Sequence, residues 1–468
     1  MKLRPIPLFG IGNQGRSVSV TAQQRTNLYI EVKQDDEGKH VLTMYGTPGL
    51  EVFYNFGSNP IRGLYQVGNL IYVVYRNKLY SISSNALSVI ELGTLNSTAG
   101  RVNFSDNGTQ IILVDGIDGY IYNINTNEFT VISDPDWPGA DTVTFLNGRF
   151  IVNKPNTGEF YWSDLYDGLS WDALNFATAE SDPDNLVAII AEMGQLVLFG
   201  IKTSEFWGDS GAADSAFARV GSSAIEWGLA ARDSLCKYSD GLMFLRKNRL
   251  GQVQVCILNG YQATPVSTPE MEFVFGTYGN VSNATAFAYM LNGHPFYQIN
   301  FPSVDASWLY DGQSKSWSKL VSGDGRHRAE QFVNLLGTPY ASDYQNGKLY
   351  RIDQDVYTDD GQVIPREFIS RHQANGNRMK FSQIWLEFEP GVGLQTGQGE
   401  DPQCMMTVSR DGGNTYGNEQ WRSIGEAGKY KSRAIWNRLG QTFDWVFKFR
   451  ITDPVKVVII AAWGKPSG

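Results

Sequence analysis

Seven short apolar or aromatic runs recur along the first three quarters of the chain, and each follows a glycine. The glycines are Gly68, Gly108, Gly148, Gly194, Gly241, Gly293 and Gly337, spaced 40 to 52 residues apart. A repeat of this length is typical of a β-propeller blade, which is a four-stranded antiparallel sheet. Because the runs show no polar alternation, each glycine is expected to lead into an inner strand that is buried on both faces. The pattern predicts an all-β fold with a propeller of about seven blades.

A second pattern follows several of these runs: an apolar strand, a polar turn and another strand. The segments with this pattern are 78–90, 120–132, 308–320 and 348–355. Each is interpreted as the outer hairpin of a blade. Segment 40–53 precedes the repeats and is placed to close the ring as an added strand. Residues 1–39 are rich in polar side chains, and we expect them to form an arm that contacts a neighbouring molecule.

The pattern changes near residues 359–368, after which the glycine-apolar repeat stops. Segments 381–390 and 443–452 alternate strictly between apolar and polar positions, so that Trp445 and Phe447 share one face. Several such strands within about 100 residues are typical of a small β-sandwich. The predicted organisation is an arm at 1–39, a propeller at 40–365 and a C-terminal sandwich at 366–468.

Composition narrows the function classes. The net charge of −9 argues against a general nucleic-acid binder, because neutralising phosphates requires a basic surface. The three cysteines and four histidines have no disulfide-framework or zinc-site spacing, so no metal and no cofactor are predicted. No apolar run reaches the roughly 20 residues that span a bilayer, and the N-terminal segment does not resemble a signal peptide. We expect a soluble protein made in a cytoplasm.

The stretch "SRDGGNTY" at 409–416 has the pattern of an Asp box, a hairpin turn found in glycan-cleaving propellers. Its turn residues are Ser409, Asp411, Gly412, Gly413, Thr415 and Tyr416. Asp411 can accept backbone N–H bonds across the turn, while the glycines supply positive φ. The box occurs once and lies outside the repeats. It is therefore interpreted as a structural turn, and no catalytic residue is predicted.

A carbohydrate-binding or glycan-cleaving propeller is the alternative that the residues leave open. Segment 159–190 combines aromatic and acidic side chains that could form a sugar platform, among them Tyr161, Trp162, Trp171, Phe176 and Glu180. A convergent arginine cluster would also favour this alternative. The candidate arginines are Arg62, Arg149, Arg232, Arg246 and Arg328. The competing interpretation of segment 159–190 is a blade hairpin whose aromatic side chains pack against the next blade.

Several motifs in a fixed order resemble one family. They are "QRTNLYIE" (24–31), "YGTPGLEVF" (45–53), "YWSDLYDGLSW" with "FATAESDPDNL" (161–186), "LVLFGIKTSEFW" (196–207), "TVSRDGGNTYGNEQW" (407–421) and "KSRAIWNRLGQ" (431–441). Together they resemble the packaged-DNA stabilisation, or tail-hub, proteins of short-tailed double-stranded DNA phages. The resemblance covers most of the chain.

This resemblance implies a non-enzymatic virion protein of the phage tail, made in the host bacterial cytoplasm. It implies a homohexamer that closes the portal channel after packaging and stabilises the packaged DNA. The partners it implies are the portal-adaptor protein, the tail needle and the tailspike. DNA would pass through the channel of the ring without sequence-specific binding, which agrees with the acidic net charge.

Overall fold

The computed structural model describes residues 4–34, 40–86, 88–179, 184–211, 216–221, 225–239, 241–248 and 250–467. Nearly all regular structure in these ranges is β-strand, which confirms the all-β prediction. The described residues include one α-helix, Pro269–Gly276, and two short 3₁₀ turns, Arg232–Ser234 and Pro302–Val304. The helix begins at Thr268, whose hydroxyl accepts a hydrogen bond from the backbone of Met271. Met271 and Phe275 anchor it in the core.

Five blades follow one another along the chain as separate antiparallel sheets. Blade 1 contains Ile61–Val67, Leu70–Tyr75, Lys78–Ser83 and Val89–Thr94. Blade 2 contains Asn103–Asp106, Gln110–Val114, Gly119–Asn123 and Glu128–Val131. Blade 3 contains Val143–Leu146, Arg149–Asn153, Glu159–Asp164 and Asp167–Thr178. Blade 4 contains Leu186–Glu192, Gln195–Gly200, Ser204–Asp209 and Phe217–Arg219. Blade 5 contains Gly228–Leu229, Cys236–Tyr238, Gly241–Lys247, Val253–Asn259 and Gln262–Pro265.

Blade 6 combines the end of the propeller region with a strand from its beginning. It contains Ala329–Leu335, Thr338–Asp343, Lys348–Asp353 and Gly49–Asn55. Gly49–Asn55 pairs antiparallel with Lys348–Asp353 as the outer strand. Two short strands, Thr358–Asp359 and Gln362–Val363, extend this sheet. The second half of segment 40–53 therefore lies in the last blade.

The predicted count of about seven blades needs a correction, because six sheets of the described residues are separate blades. The remaining repeat, around Gly293, is not a separate sheet. Its strands are Thr285–Leu291, His294–Phe301, Ala306–Asp311 and Ser316–Ser322, with Gly325–Arg326 beside the last of them. They form one end of a 15-stranded sheet that continues into the C-terminal module. We call these strands the junction blade; its first strand packs between the inner strands of blades 5 and 6.

Six of the seven repeated glycines lie in the tight turn between the first and second strands of their repeats and have positive φ, including Gly108 at 87° and Gly337 at 83°. L-residues with a side chain avoid this conformation, which explains the glycine at these six positions. Gly241 differs, because it begins the strand Gly241–Lys247 and lacks positive φ. The apolar run is the second strand of each blade and not the innermost one. It is buried on both faces because it is flanked by strands within its sheet and by neighbouring blades above and below.

The C-terminal module is a β-sandwich built around two long bent strands, Gln373–Phe388 and Ala434–Ile451. Its other strands are Arg366–Ile369, Gln403–Ser409, Gln420–Ser423 and Val458–Ser467. Fully buried Trp436 and Trp445 lie in one core cluster with Phe381, Phe447 and Phe449. The predicted alternation of 443–452 and the predicted sandwich are confirmed.

The described part of the predicted arm lies within this sandwich. Its strands are Arg4–Pro5, Gln24–Thr26 and Leu28–Gln34, and His40–Gly46 follows them. Arg4–Pro5 and His40–Gly46 both pair with Val458–Ser467. Ile6, Leu8, Phe9, Leu28 and Ile30 belong to the sandwich core. Residues 1–3 and 35–39 of the arm lie outside the described residues.

Candidate functional site at the junction of propeller, arm and sandwich

Strand Gln24–Thr26 lies between the junction blade and the sandwich. It pairs in parallel with the junction blade at Thr26–Lys319 and antiparallel with Arg366–Ile369 of the sandwich. Hydrogen bonding is therefore continuous from the propeller through the arm into the sandwich. This arrangement makes the junction a stiff connection, because a relative rotation of the two modules would break ladder hydrogen bonds.

Arg25 is the central polar side chain of this junction and is buried. Its Nη1 donates to the carbonyls of Gly10 and Gly12, and its Nη2 donates to the carbonyls of Ile11 (3.2 Å) and Trp317 (2.6 Å). Burial lowers the pKa of Arg25 to about 10, so the guanidinium stays charged at neutral pH. These bonds attach the 10–12 loop of the arm to the junction blade. The backbone of residues 10–12 thus supplies the carbonyl acceptors here.

Asn27 forms a second polar connection between the same three parts. Its side-chain amide donates to the carbonyls of Val321 (3.0 Å) and Pro365 (2.9 Å), and its Oδ1 accepts from Val321 N (2.9 Å). The residue has φ of 52°, a conformation that asparagine tolerates better than most side chains. Sequence reasoning used "QRTNLYIE" only as part of a resemblance and missed these roles. No local signal in the sequence identifies them, because their partners lie in distant segments.

The Asp-box turn has the hydrogen bonds that its pattern predicts. Oδ1 of Asp411 accepts from the backbone N–H of Asn414 (3.1 Å) and Thr415 (2.9 Å), and Oδ2 accepts from the Thr415 hydroxyl (2.6 Å). Ser409 Oγ bonds Asp411 and accepts from Gly413 N (2.8 Å). Bonds from the Thr415 hydroxyl and backbone, and then from Ser409, lower the pKa of Asp411 to about 2. Gly412 and Gly413 have φ of 70° and 92°.

The position of this turn links it to the arm. Gly413 faces Val18 and Ala22, and a side chain at this position would collide with both. The neighbouring His372 bonds Asp444 through Nδ1 (2.7 Å) and the Val18 carbonyl through Nε2 (2.9 Å). Tyr416 is half-buried, and burial raises its pKa to about 12. The purely structural role of the box stays a prediction, and its surroundings support that role.

Charged side chains form an ion-pair network between the segments that enter three of the blades. Arg232 bonds Asp141 (3.1 Å) and Asp233 (3.2 Å), and Asp233 also lies 3.5 Å from Arg101. The four residues come from the segments that enter blades 2, 3 and 5, so the network connects blades that are not all neighbours. Burial raises the pKa of Asp141, and Arg232 partly offsets the effect. Sequence reasoning missed this network because its members are up to 132 residues apart.

A cavity of about 540 Å³ opens beside this network, and its charged lining residues include more arginines than carboxylates. Arg62 and Arg326 lie in its wall, where Arg326 pairs with Glu330 (2.6 Å) and covers the ring of Tyr344 at 3.7 Å. The arginines named from sequence do not converge as a carboxylate-binding triad. Each bonds a partner near it: Arg62 to Gly100 O, Arg149 to Ser163 O, Arg232 to Asp141, Arg246 to Gln254 and Arg328 to Asp343.

The aromatic stretch of blade 3 packs inside the propeller. Trp171 meets Trp137 edge-to-face at 4.7 Å, and Trp162 meets Phe217 of blade 4 at 5.5 Å. Of the four aromatic residues named, only Phe176 is exposed, at 40%, and it stacks on Tyr161. These contacts favour the blade-hairpin interpretation over a flat sugar platform. Glu180 lies outside the described residues.

The three cysteine thiols are unpaired, and burial raises the pKa of each. The described residues contain no cluster of three or more histidine, cysteine, aspartate or glutamate side chains arranged to hold a metal ion. Within the same ranges, no helix has the length and apolar character needed to cross a membrane.

Comparison with known proteins decides the family. Residues 4–357 match the family described as bacteriophage P22 Gp10, beta-propeller. Residues 365–463 match the family described as bacteriophage P22 Gp10, beta-sandwich. The chain belongs to the bacteriophage P22 Gp10 family. The resemblance inferred from motif order is confirmed.

A known tail protein is similar to this chain across both modules. The tail hub protein gp10 of Salmonella phage P22 is 25% identical over 417 residues, which cover 84% of this chain and 84% of that protein. Membership in the Gp10 family makes the chain a structural protein of a phage tail, located in the virion tail.

Solved structures with a similar arrangement of strands are more distant than the Gp10 family. The extracellular domain of a hybrid two-component system from B. thetaiotaomicron has a TM-score of 0.45 and 9% identity, covering 75% of this chain and 44% of that chain. YCF48 bound to D1 peptide has a TM-score of 0.42 and 12% identity, covering 66% and 100%. The N-terminal domain of Nup159 has a TM-score of 0.41 and 10% identity, covering 70% and 98%.

Proposed function

We propose that this chain is the tail hub and head-completion factor of a short-tailed phage. Six copies form a ring that closes the portal channel after packaging, stabilises the packaged DNA and anchors the tail needle and the tailspikes. The protein carries out no catalysis in this role. The observation that carries the proposal is the relative named a tail hub, aligned over 84% of both chains within one family.

The hydrogen bonds at the junction support a role for each copy in resisting force. A ring that resists the pressure of packaged DNA needs subunits whose modules do not rotate against one another. Arg25 and Asn27 connect arm, propeller and sandwich through buried hydrogen bonds. One sheet also runs from the junction blade into the sandwich. The subunit can therefore transmit force as a single body.

The DNA conduit is proposed to lie between the copies, on the axis of the ring. Within one copy, the ion pairs of Asp141, Arg232, Asp233 and Arg101 hold the segments that enter blades 2, 3 and 5 together, which disfavours a passage for a duplex between these blades. The net charge of −9 disfavours sticking of DNA to the walls of an axial conduit. DNA would thus pass without sequence-specific binding.

The exposed part of the arm, residues 14–20, is proposed as a contact to the neighbouring copy. The rest of the described arm is largely packed into the sandwich of its own chain. Val20 is an apolar side chain with 78% of its surface exposed. Closed rings form through heterologous contacts, in which one patch meets a different patch on the next copy. An apolar side chain at the tip of an otherwise anchored segment suits such a contact.

Mass measurement of the purified protein, alone and with the portal-adaptor complex, tests this function. Six copies bound per complex, together with retention of DNA in filled heads, are expected. Val20→Asp should weaken ring assembly, whereas Val304→Asp on the exposed 3₁₀ turn of the propeller should not. A protein that ignores the portal complex, or filled heads that retain DNA without it, would refute the proposal.

A further inference from the structure

A cleft of about 340 Å³ lies where arm, junction blade, blade 6 and sandwich meet. We call it the junction cleft. Tyr29 and Tyr45 line it from the arm strands, His294 from the junction blade, and Tyr357 and Arg366 from the chain that leads into the sandwich. Its volume falls in the range of roughly 300–1,000 Å³ that is typical of small-molecule sites. Neither the ion-pair network around Arg232 nor the Asp-box turn lines this cleft.

Arg366 gives the cleft its unusual chemistry. The residue is 1% exposed, and its Nε and Nη1 are buried atoms that no hydrogen-bond acceptor among the described residues satisfies. The buried carboxylate of Asp359 interacts electrostatically with Arg366 but does not lie within ion-pair distance, and its Oδ1 also lacks a hydrogen-bond partner among the described residues. The ring of Tyr357 is 6.0 Å away. Buried arginines normally donate hydrogen bonds to their partners as well, because a buried donor without an acceptor is costly. Arg25 in the same junction differs from Arg366, because both of its Nη atoms donate to backbone carbonyls.

The backbone around Arg366 is shaped to hold this guanidinium in place. Gly46 also lines the cleft, and a Cβ at this position would collide with Arg366 Nε. Gly46 does not have positive φ, so the turn itself does not require glycine. The glycine is required for space beside the guanidinium. This close approach positions Arg366 at the base of the cleft and limits the ways in which it could turn away.

The other charges around the cleft select for a small anion of low charge. Lys456 lies at the rim and pairs with Glu389 at 2.8 Å. Glu31 and Asp355 also face the cleft. A divalent anion would meet stronger repulsion from these two carboxylates than a monovalent one. Arg366 and the tyrosine hydroxyls can donate hydrogen bonds to an oxyanion, which is the ligand that a guanidinium binds best.

We propose that the junction cleft binds a carboxylate, held by the Arg366 guanidinium at its base. The bound group would supply the acceptors that Arg366 lacks. Because all three parts of the chain line the cleft, occupancy would stabilise the junction as well. The carboxylate could belong to a free small molecule or to a glutamate of a polypeptide, since both present the same group.

Isothermal titration calorimetry of the full chain tests the site with three probes at matched ionic strength. The probes are sodium propionate, the tripeptide Gly-Glu-Gly with an acetylated N-terminus and an amidated C-terminus, and inorganic phosphate, each against sodium chloride. Saturable propionate binding with weaker phosphate binding is expected. Tighter binding of the tripeptide would identify a polypeptide source, and equal or weaker binding a small-molecule source. No saturable propionate signal, or phosphate binding at least as tight, would overturn the proposal.

Binding measurements on variants test whether Arg366 holds the propionate. Arg366→Met should weaken propionate binding at least tenfold, because a charge-assisted hydrogen bond is lost. Gly46→Ala keeps every charge but displaces the guanidinium, so it should weaken binding too, and it decides the matter if Arg366→Met does not fold. The control is Arg351→Met, which removes a partly exposed arginine paired with Glu51 on blade 6. Unchanged binding in a folded Gly46→Ala variant and in Arg366→Met would refute the assignment.

Discussion

Blade 2 and the junction show two different ways of building a sheet. In blade 2 every hydrogen-bonded neighbour is also the next strand in sequence, from Asn103–Asp106 to Glu128–Val131. At the junction, strand Gln24–Thr26 pairs with Lys319 on one side and with Glu367 on the other, both of which lie far away in sequence. The blade can therefore form from local hairpins. The junction can form only after the ring and the sandwich have brought distant segments together.

This difference predicts which parts of the molecule unfold together. A blade buries its core against its two neighbours, as in other repeat architectures. The sandwich shares a sheet with the junction blade, so its loss removes support from the ring. We expect substitutions at the junction and in the sandwich to act on the whole molecule, and substitutions in a single blade turn to act locally. Four predictions test this comparison, from the largest expected effect to the smallest.

Trp445→Ala should have the largest effect. Trp445 is fully buried, packs edge-to-face on Phe381 at 5.5 Å and donates from Nε1 to the Met379 carbonyl at 2.9 Å. Its truncation should cost about 3–5 kcal/mol of unfolding free energy. Calorimetry should show one transition at a lower temperature, since the sandwich and ring share a sheet. Trp421→Ala, at an exposed tryptophan, is the control; two separate transitions in Trp445→Ala would contradict the shared cooperativity.

Arg25→Met should cost about 2–3 kcal/mol, because it leaves buried carbonyls of the 10–12 loop and of Trp317 without a charged donor. Urea unfolding measures this loss. Limited proteolysis should also cut the arm more rapidly in the variant. Arg16→Met, which removes an exposed arginine of the same arm, is the matched control. Equal cleavage of the two variants would show that Arg25 does not hold the arm.

Gly108→Ala should cost about 1 kcal/mol, because Gly108 has φ of 87° and an alanine there is strained even though the space is open. Gly276→Ala serves as control, since that glycine also faces open space but lacks positive φ. Urea unfolding of both variants gives the comparison. Hydrogen exchange should show the loss of protection confined to blade 2 and its neighbours. Loss of protection across the sandwich would contradict the local character of the blades.

Asp411→Asn should have the smallest effect, and that effect should depend on pH. The folded-state pKa of Asp411 is lowered to about 2, compared with about 3.9 in an unfolded chain. Its contribution to stability is therefore present above about pH 4 and is lost as the pH falls towards 2. Melting temperatures of the two proteins should differ at pH 7 and converge near pH 2. A difference that is independent of pH would show that the charge of Asp411 plays no part.

The sequence by itself determined the elements that depend on neighbouring residues. Positive φ at Gly108 and Gly337, the buried second strands and the hairpins at 78–90 and 120–132 all follow from local turn chemistry and apolar patterning. The Asp-box bonds were predictable for the same reason, because Ser409, Asp411 and Thr415 lie within one turn.

Only the tertiary structure decided what joins distant segments. It merged the Gly293 repeat with the sandwich and inserted strand Gln24–Thr26 between them. It also left Nε and Nη1 of Arg366 buried without an acceptor among the described residues, while Arg25 received several. The two arginines look alike in sequence, since each lies in a short strand within a mixed polar and apolar segment. Their environments differ because burial and hydrogen-bond partners come from residues hundreds of positions away, which no local pattern specifies.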